Sequence, residues 1–171
     1  MKNRVFLFLI CAFFGFTFPV YCEDIAYIKI VSYINQNPTD GFGSYIKFEN
    51  TELLKDIEIS KEKNTIKFNK PGLYYLNLTL QCGSNDFGAT GFIDCWFEKN
   101  GKPLLGSTTR ISVDSQDSVQ VLTTSGIELI EIDDEIAIKF SASGPGIGIT
   151  TYTQKLRPSV SSAEFIAYQI N

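Results

Sequence analysis

The 171-residue chain contains no histidine. Histidine is the most frequent general base in enzymes and the most frequent transition-metal ligand in proteins. The composition therefore excludes serine triads, cysteine–histidine dyads and the usual zinc enzymes. Basic residues are also in deficit, 15 against 19 acidic ones, and the formal net charge is −4 at pH 7. Because an acidic surface repels phosphates and anionic head groups, we expect no nucleic-acid partner.

No apolar run reaches the roughly 20 residues that are needed to span a bilayer. The run Val5–Phe18 comes closest, and the basic residues Lys2 and Arg4 precede it. This order is typical of a secretory signal peptide. We predict a signal peptide over residues 1–22, cleaved after Cys22, and therefore a secreted or cell-surface protein whose mature part has no membrane span.

Two other interpretations of this leader stay open. An uncleaved membrane anchor would use the same apolar run, although its 14 residues are short for a span. A lipid attached to Cys22 would require a different cleavage, which the bulky Tyr21 next to it disfavours.

Cysteine is scarce, with four residues, two of which fall in the leader. The other two, Cys82 and Cys95, lie on the apolar sides of their predicted strands. Two cysteines in an exported chain usually form one disulfide bond. We predict a Cys82–Cys95 bond, whose loop of about 13 residues would contribute about 3 kcal/mol of stability. The alternative is a pair of reduced thiols that pack as small apolar groups.

Apolar and polar residues alternate with a period of two after residue 22, and no segment sustains a helical period. Thr51–Lys55 has room for one helical turn at most. Residues 112–118 are predicted to form a loop, and Gly126 marks a bulge in a long strand. The pattern predicts one all-β domain over residues 23–171, a sandwich or jelly roll of about ten strands. The predicted strands are Ile25–Ile34, Tyr45–Phe48, Ile57–Ile59, Thr65–Phe68, Leu73–Cys82, Phe92–Glu98, Lys102–Thr109, Val119–Ile132, Glu135–Ser141, Ile147–Thr153 and Ala163–Ile170.

A Pro-Gly pair divides the most regular part of this pattern. Pro71 has no N–H for a sheet ladder, and Gly72 can adopt backbone angles that other residues avoid. The pair therefore predicts a corner between two strands. Beyond it, leucines alternate with polar residues along Leu76–Gln81, which is typical of a sheet that packs on one face.

Four blocks of the chain, in their order and spacing, resemble the family of complement C1q globular heads and tumour necrosis factor-like domains. The resemblance covers about residues 45–170. The chain departs from the family pattern at Asp133, where the turn usually has glycine, and in the final strand, which lacks the glycine that usually follows its phenylalanine. The matching residues are Phe68, Pro71, Gly72 and Tyr74 at the strand entry, Phe97, Asn100 and Gly101 at an Asn-Gly turn, Leu129, Asp134 and Ile136 around a second turn, and Phe165 and Ile166 in the final strand.

This resemblance implies a two-sheet, ten-stranded jelly roll that assembles as a compact trimer and works by binding. It also implies that the outward face of the central strand is the contact between subunits. The alternative is that this face is solvated in a monomer. The residues of the implied trimer interface are Tyr75, Asn77, Thr79, Gln81 and Tyr168.

No pattern in the chain predicts a catalytic residue, a cofactor or a metal site. Trp96 alternates onto the outward face of its strand, where an indole can stack on a sugar or anchor a protein partner, although covering the sheet is the simpler role. Asp114 and Asp117, in one loop, are the other candidates for ligand binding.

Three acids at a turn, Asp133, Asp134 and Glu135, are the candidates for calcium. They lack the spacing of a dedicated calcium loop, and aspartate favours turns for backbone reasons alone.

The sequence therefore favours a secreted, non-enzymatic binding module that forms a homotrimer and recognises a protein or a glycan through its loops. One alternative is a structural component of a cell surface or coat that trimerises without a soluble ligand. A glycan hydrolase that uses two carboxylates is a further alternative.

Overall fold

The computed structural model describes residues 24–38, 43–60, 62, 64–84, 89–114, 119–151 and 159–170. The predicted signal peptide, and the last two residues of the predicted strand Ile147–Thr153, lie outside them. The described residues form thirteen strands and no helix. The strands are β1 Tyr27–Ser32, β2 Ser44–Tyr45, β3 Asn50–Lys55, β4 Ile57–Ser60, β5 Thr65–Phe68, β6 Gly72–Ser84, β7 Gly91–Lys99, β8 Lys102–Pro103, β9 Thr109–Val113, β10 Gln120–Ile130, β11 Glu135–Ala142, β12 Ile147–Ile149 and β13 Ala163–Ile170.

The strands pair antiparallel in two sheets. Sheet A has the order β10-β6-β13-β1-β3, and β12 also pairs with β6. Sheet B has the order β4-β5-β11-β7-β8, with β2 added to β11 and β9 added to β7. Many neighbours in each sheet are distant in sequence, as in a jelly roll. The predicted all-β, two-sheet sandwich is therefore confirmed.

The inward faces of the two sheets meet in one apolar core. In β6 the buried residues alternate with half-exposed ones, which places Leu76, Leu78 and Leu80 inside, as the sequence predicts. Aromatic rings join the sheets, and the ring centroids of Phe97 in sheet B and Phe165 in sheet A lie 6.0 Å apart. Full burial of one such large apolar side chain contributes about 1.5–3 kcal/mol to stability.

The predicted corner at Pro71 and Gly72 connects the sheets. Gly72 begins β6 with φ 150°, and a Cβ there would lie 2.6 Å from Nε2 of Gln169. The same Nε2 donates a hydrogen bond to the Pro71 carbonyl at 3.0 Å. Below the corner, the rings of Phe68 and Tyr74 pack edge to face with centroids 4.8 Å apart. A side chain at position 72 would therefore displace the contact that closes the corner.

Residues 50–55 form strand β3, a strand that the sequence does not predict, since it allows at most one helical turn there. Their side chains are almost all exposed, and for that reason no alternation marks them as a strand. β3 forms because it can pair with the edge of β1, where Ile28 lies opposite Leu54.

Three local predictions are wrong. The chain leaves the ladder after β8, so residues 102–109 do not form one strand, and β9 includes the first two residues of the predicted loop 112–118, of which residues 115–118 lie outside the described ones. Ser107 stabilises the intervening turn, since its hydroxyl donates to the Leu104 carbonyl at 2.8 Å. The predicted bulge at Gly126 is absent from the register between β10 and β6, which is continuous.

Candidate functional site

The outer face of sheet A carries the side chains that the resemblance assigns to a trimer interface. Tyr75, Asn77 and Thr79 alternate with the buried leucines of β6 and point away from the core. Tyr168 of β13 lies directly opposite Tyr75, with ring centroids 5.4 Å apart. Gln81 points the same way but is buried, and its side-chain amide donates to the Ser161 carbonyl at 2.9 Å.

Neighbouring strands make this face more apolar than the sequence suggests. In the register of β10 with β6, Ile127 lies opposite Tyr75 and Leu129 lies opposite Leu73. Ile127 is 64% exposed, Leu129 is 56% exposed and Leu73 is 48% exposed. We call Leu73, Tyr75, Ile127, Leu129 and Tyr168 the sheet A patch. Alternation within β10 assigns its outward residues, but only the pairing with β6 places them beside Tyr75.

Charged residues flank the sheet A patch. The Lys29 ammonium lies 2.9 Å from a carboxylate oxygen of Glu52 and 3.2 Å from one of Glu164. Hydrogen bonds to these two carboxylates raise the pKa of Lys29 above its usual value. The outer face of sheet A therefore has an apolar part and a polar, ion-paired border.

Trp96 lies on the outer face of sheet B, as predicted. Its indole N–H donates to Oε1 of Glu98 at 3.1 Å, and Oε2 of Glu98 pairs with Lys139 at 3.1 Å. Gly43 covers the ring so closely that a Cβ there would lie 2.3 Å from it. Trp96 is therefore half-buried and fixed from two sides, and the ligand-binding role suggested for it stays a prediction.

A second aromatic and charged group lies further along this face. Arg110 makes a bidentate ion pair with Asp94, in which both N···O distances are 2.7 Å. Its guanidinium also lies 3.8 Å from the ring centroid of Phe92, a cation–π contact. Asp114 is exposed just after β9, whereas Asp117 lies outside the described residues.

The carboxylates of the acidic turn, residues 133–135, form an ion pair and hydrogen bonds that stabilise the turn. Asp133 adopts φ 69°, which aspartate tolerates better than most residues and which explains how it can replace glycine there. Its carboxylate lies 2.9 Å from the Lys67 ammonium. Asp134 accepts hydrogen bonds from the Asn100 side chain at 2.6 Å and from the Glu131 N–H at 2.9 Å.

Glu135, the last residue of the turn, lies opposite Lys67 in the register of β11 with β5. Its backbone N–H donates to Oδ1 of Asn100 at 2.9 Å. Among the described residues, no group of three or more His, Cys, Asp and Glu side chains is arranged to hold a metal ion. Calcium binding by the acidic turn gains no support from these contacts.

Three carboxylates also line a pocket of about 400 Å³ on the outer side of sheet B, together with Tyr45 and Asn100. They belong to Glu62, Glu98 and Glu135. Both oxygens of Glu98 are already engaged by Trp96 and Lys139 as described above, so this carboxylate serves the packing of the surface.

Cys82 and Cys95 point into the core from β6 and β7, as predicted. Both are free thiols in the structure, so the predicted disulfide bond is not formed there. Burial raises the pKa of each thiol to about 12. Because the thiolate is the reactive form, neither side chain has the properties of a catalytic cysteine.

No protein-family model matches the sequence, and no curated protein matches it either. Solved structures do match, and one of them is the globular domain of zebrafish complement 1qA protein. The match has a TM-score of 0.56 and 12% sequence identity, and covers 86% of this chain and 98% of that one. The chain therefore has the fold of a C1q globular domain, as its sequence blocks indicate. No helix among the described residues is long and apolar enough to cross a membrane.

Proposed function

We propose that this protein is a secreted, non-enzymatic binding module that forms a homotrimer and recognises a protein or glycan partner. Its C1q-type fold supports a binding role, and the predicted signal peptide supports secretion. Folds alone do not determine activity, so the proposal depends on a particular surface. The observation that carries it is the sheet A patch.

The composition of the sheet A patch favours association with further copies of the chain. Monomeric proteins rarely expose contiguous apolar patches larger than a few hundred Å². Covering apolar surface in a contact contributes about 25 cal/mol per Å² to the free energy of association. The ion-paired border around Lys29 resembles the polar rim of an interface. A closed ring of copies would cover the patch in each subunit. The number three comes from the family resemblance in the sequence.

A trimer built through sheet A would leave the outer face of sheet B exposed to a partner. That face carries Trp96, the Arg110–Asp94 pair and the pocket lined by three carboxylates. Asp114 lies at its border, at the end of β9. We propose that the partner binds there, through these side chains and the adjoining loops.

Light scattering of the purified mature protein at micromolar concentration tests the assembly. We expect a trimer for the wild type and a monomer for Ile127→Lys, because the new ammonium would be buried in the contact without a partner. Ile34→Lys is the matched control, since Ile34 is also an exposed isoleucine but lies after β1, where it lines a pocket with Tyr45 and Phe140 of sheet B. A wild-type monomer would disprove the trimer. A glycan array and a pull-down with the same protein then test binding separately.

A further inference from the structure

A pocket of about 270 Å³ opens into the core at one side of the sandwich. It lies between the segment that follows β2, residues 46–49, and the facing ends of β4 and β5. Both sheets contribute to it, and its lining is mostly apolar. The apolar lining residues are Ile30, Ile46, Phe48, Ile59, Ile66 and Ile138.

The pocket exists because two segments share one edge of β11. This edge pairs with β5 over Glu135–Ala137 and with β2 over Lys139–Phe140. The predicted strand Tyr45–Phe48 therefore ends at Tyr45, and Ile46 makes one more bond, from its N–H to the Ile138 carbonyl at 2.9 Å. Beyond that point the chain diverges from β5, which leaves a gap in sheet B.

A side-chain amide holds the diverging segment in place. Gln36 is buried, and its Nε2 donates to the Lys47 carbonyl at 2.9 Å. Its Oε1 accepts a hydrogen bond from the Lys47 N–H at 2.8 Å. These two bonds satisfy the backbone of Lys47 without a strand partner. These contacts hold this wall of the pocket in place.

Thr65 lines this pocket and also the pocket on the outer side of sheet B. The residue is only 9% exposed, and its hydroxyl oxygen is buried and has no hydrogen-bond partner among the described residues. A buried polar group without a partner is costly, and native proteins normally satisfy such a group with protein, water or a ligand. Lys47 and Asn64 also line the pocket, so its polar groups are not confined to Thr65.

We propose that this pocket binds a small amphipathic molecule. A short aliphatic chain would occupy the apolar interior, and an oxygen head group would lie at the polar part of the lining, beside Lys47 and Asn64. The size is sufficient, because a dry cavity of about 150 Å³ lined by Leu, Ile and Phe already binds benzene. The head group is an alcohol or a carboxylate: Lys47 favours the carboxylate, and Glu49, which also lines the pocket, favours the alcohol. The site is independent of trimer formation, because none of its lining residues belongs to the sheet A patch.

The test uses octan-1-ol and octanoate as probes for the mature protein, with isoleucine methyl NMR and calorimetry. We expect saturable binding and shifts of the Ile46 and Ile138 methyl signals. Ile59→Phe, which fills the pocket, should abolish binding of both probes. Thr124→Val, at a buried position outside the pocket lining, is the control and should bind as the wild type does.

Lys47→Met distinguishes the two head groups. If it weakens octanoate and leaves octan-1-ol unchanged, the pocket holds a carboxylate near the ammonium. Equal affinity of wild type and Lys47→Met for both probes identifies an uncharged head group. The proposal is wrong if neither probe binds, or if Ile59→Phe binds as the wild type does.

Discussion

Tyr75 and Tyr168 lie opposite each other in neighbouring strands of sheet A, with their ring centroids 5.4 Å apart on the outward face. Tyrosine is enriched at the centre of protein interfaces, since its ring offers a large apolar area and a polar tip. The pair therefore marks the part of sheet A where the contact between subunits is expected to be strongest.

Truncation of this pair should weaken the trimer. We expect Tyr168→Ala to cost about 1–2 kcal/mol of assembly free energy per contact, because it removes an anchor from the patch. Sedimentation at a series of protein concentrations measures the change. Tyr33→Ala removes an equally exposed tyrosine from outside sheet A and serves as the control. Equal effects of the two substitutions would contradict the assignment.

Two buried threonines should respond in opposite ways to replacement by valine. The hydroxyl of Thr65 has no partner among the described residues, so Thr65→Val should raise the free energy of unfolding by about 1 kcal/mol. The hydroxyl of Thr124 donates to the Ser107 carbonyl at 3.0 Å, so Thr124→Val should lower it by a similar amount. Urea denaturation at one fixed protein concentration measures both. A lower free energy of unfolding for Thr65→Val would contradict this prediction, because it would show that the Thr65 hydroxyl makes a hydrogen bond in the folded protein.

A methyl group at Gly43 should disturb the only tryptophan of the chain. Gly43 adopts φ 94°, and an added Cβ would meet the Trp96 ring at 2.3 Å. Gly106 is the matched control, because it adopts φ 79° and has nothing within 4 Å of an added Cβ. Both alanine variants suffer the backbone penalty of about 1–2 kcal/mol, but Gly43→Ala should lose more stability. It alone should shift the tryptophan emission.

Alkaline pH should destabilise the fold through Tyr74. Burial raises the pKa of its phenol from 10.0 to about 12. Between these values the unfolded chain has released the proton and the folded chain keeps it, so rising pH favours unfolding. The urea midpoint should fall between pH 10 and 12, and less so in Tyr74→Phe. The exposed Tyr33 provides the control, and Tyr33→Phe should follow the wild type.

The cysteine pair gives a direct chemical test of the predicted disulfide bond. If the protein is exported as proposed and Cys82 and Cys95 are bonded, it should expose no reactive thiol when it is unfolded without reductant. Reduction should then lower the stability by about 3 kcal/mol. Mass spectrometry after alkylation in denaturant counts the thiols. Two alkylated cysteines in the unreduced sample would establish the free pair found in the structure.

Which face of each long strand is buried was predictable from sequence, because alternation alone determines it. Leu76, Leu78 and Leu80 are buried and Asn77 and Thr79 are not, as their spacing requires. Strand β3 was not predictable in this way, since its side chains are exposed on both faces and its formation depends on the edge of β1.

The candidate sites were predictable only in part. The sequence identifies Tyr75 as an outward residue, but the position of Ile127 beside it depends on pairing between segments about 50 residues apart. The pocket beside Thr65 has no sequence signal, because it results from the way two strands divide one edge of β11.

Gln36 has a further consequence for how the domain is held together. Its side chain binds the backbone of Lys47, while its own N–H and carbonyl exchange hydrogen bonds with Ile149 at 2.8 and 2.9 Å. One residue near the start of the domain thus tethers two segments about 100 positions apart. If the bonds to Lys47 or to Ile149 break, Gln36 is held less firmly, and its contact with the other segment weakens. Local opening at the pocket and local opening at β12 are therefore coupled.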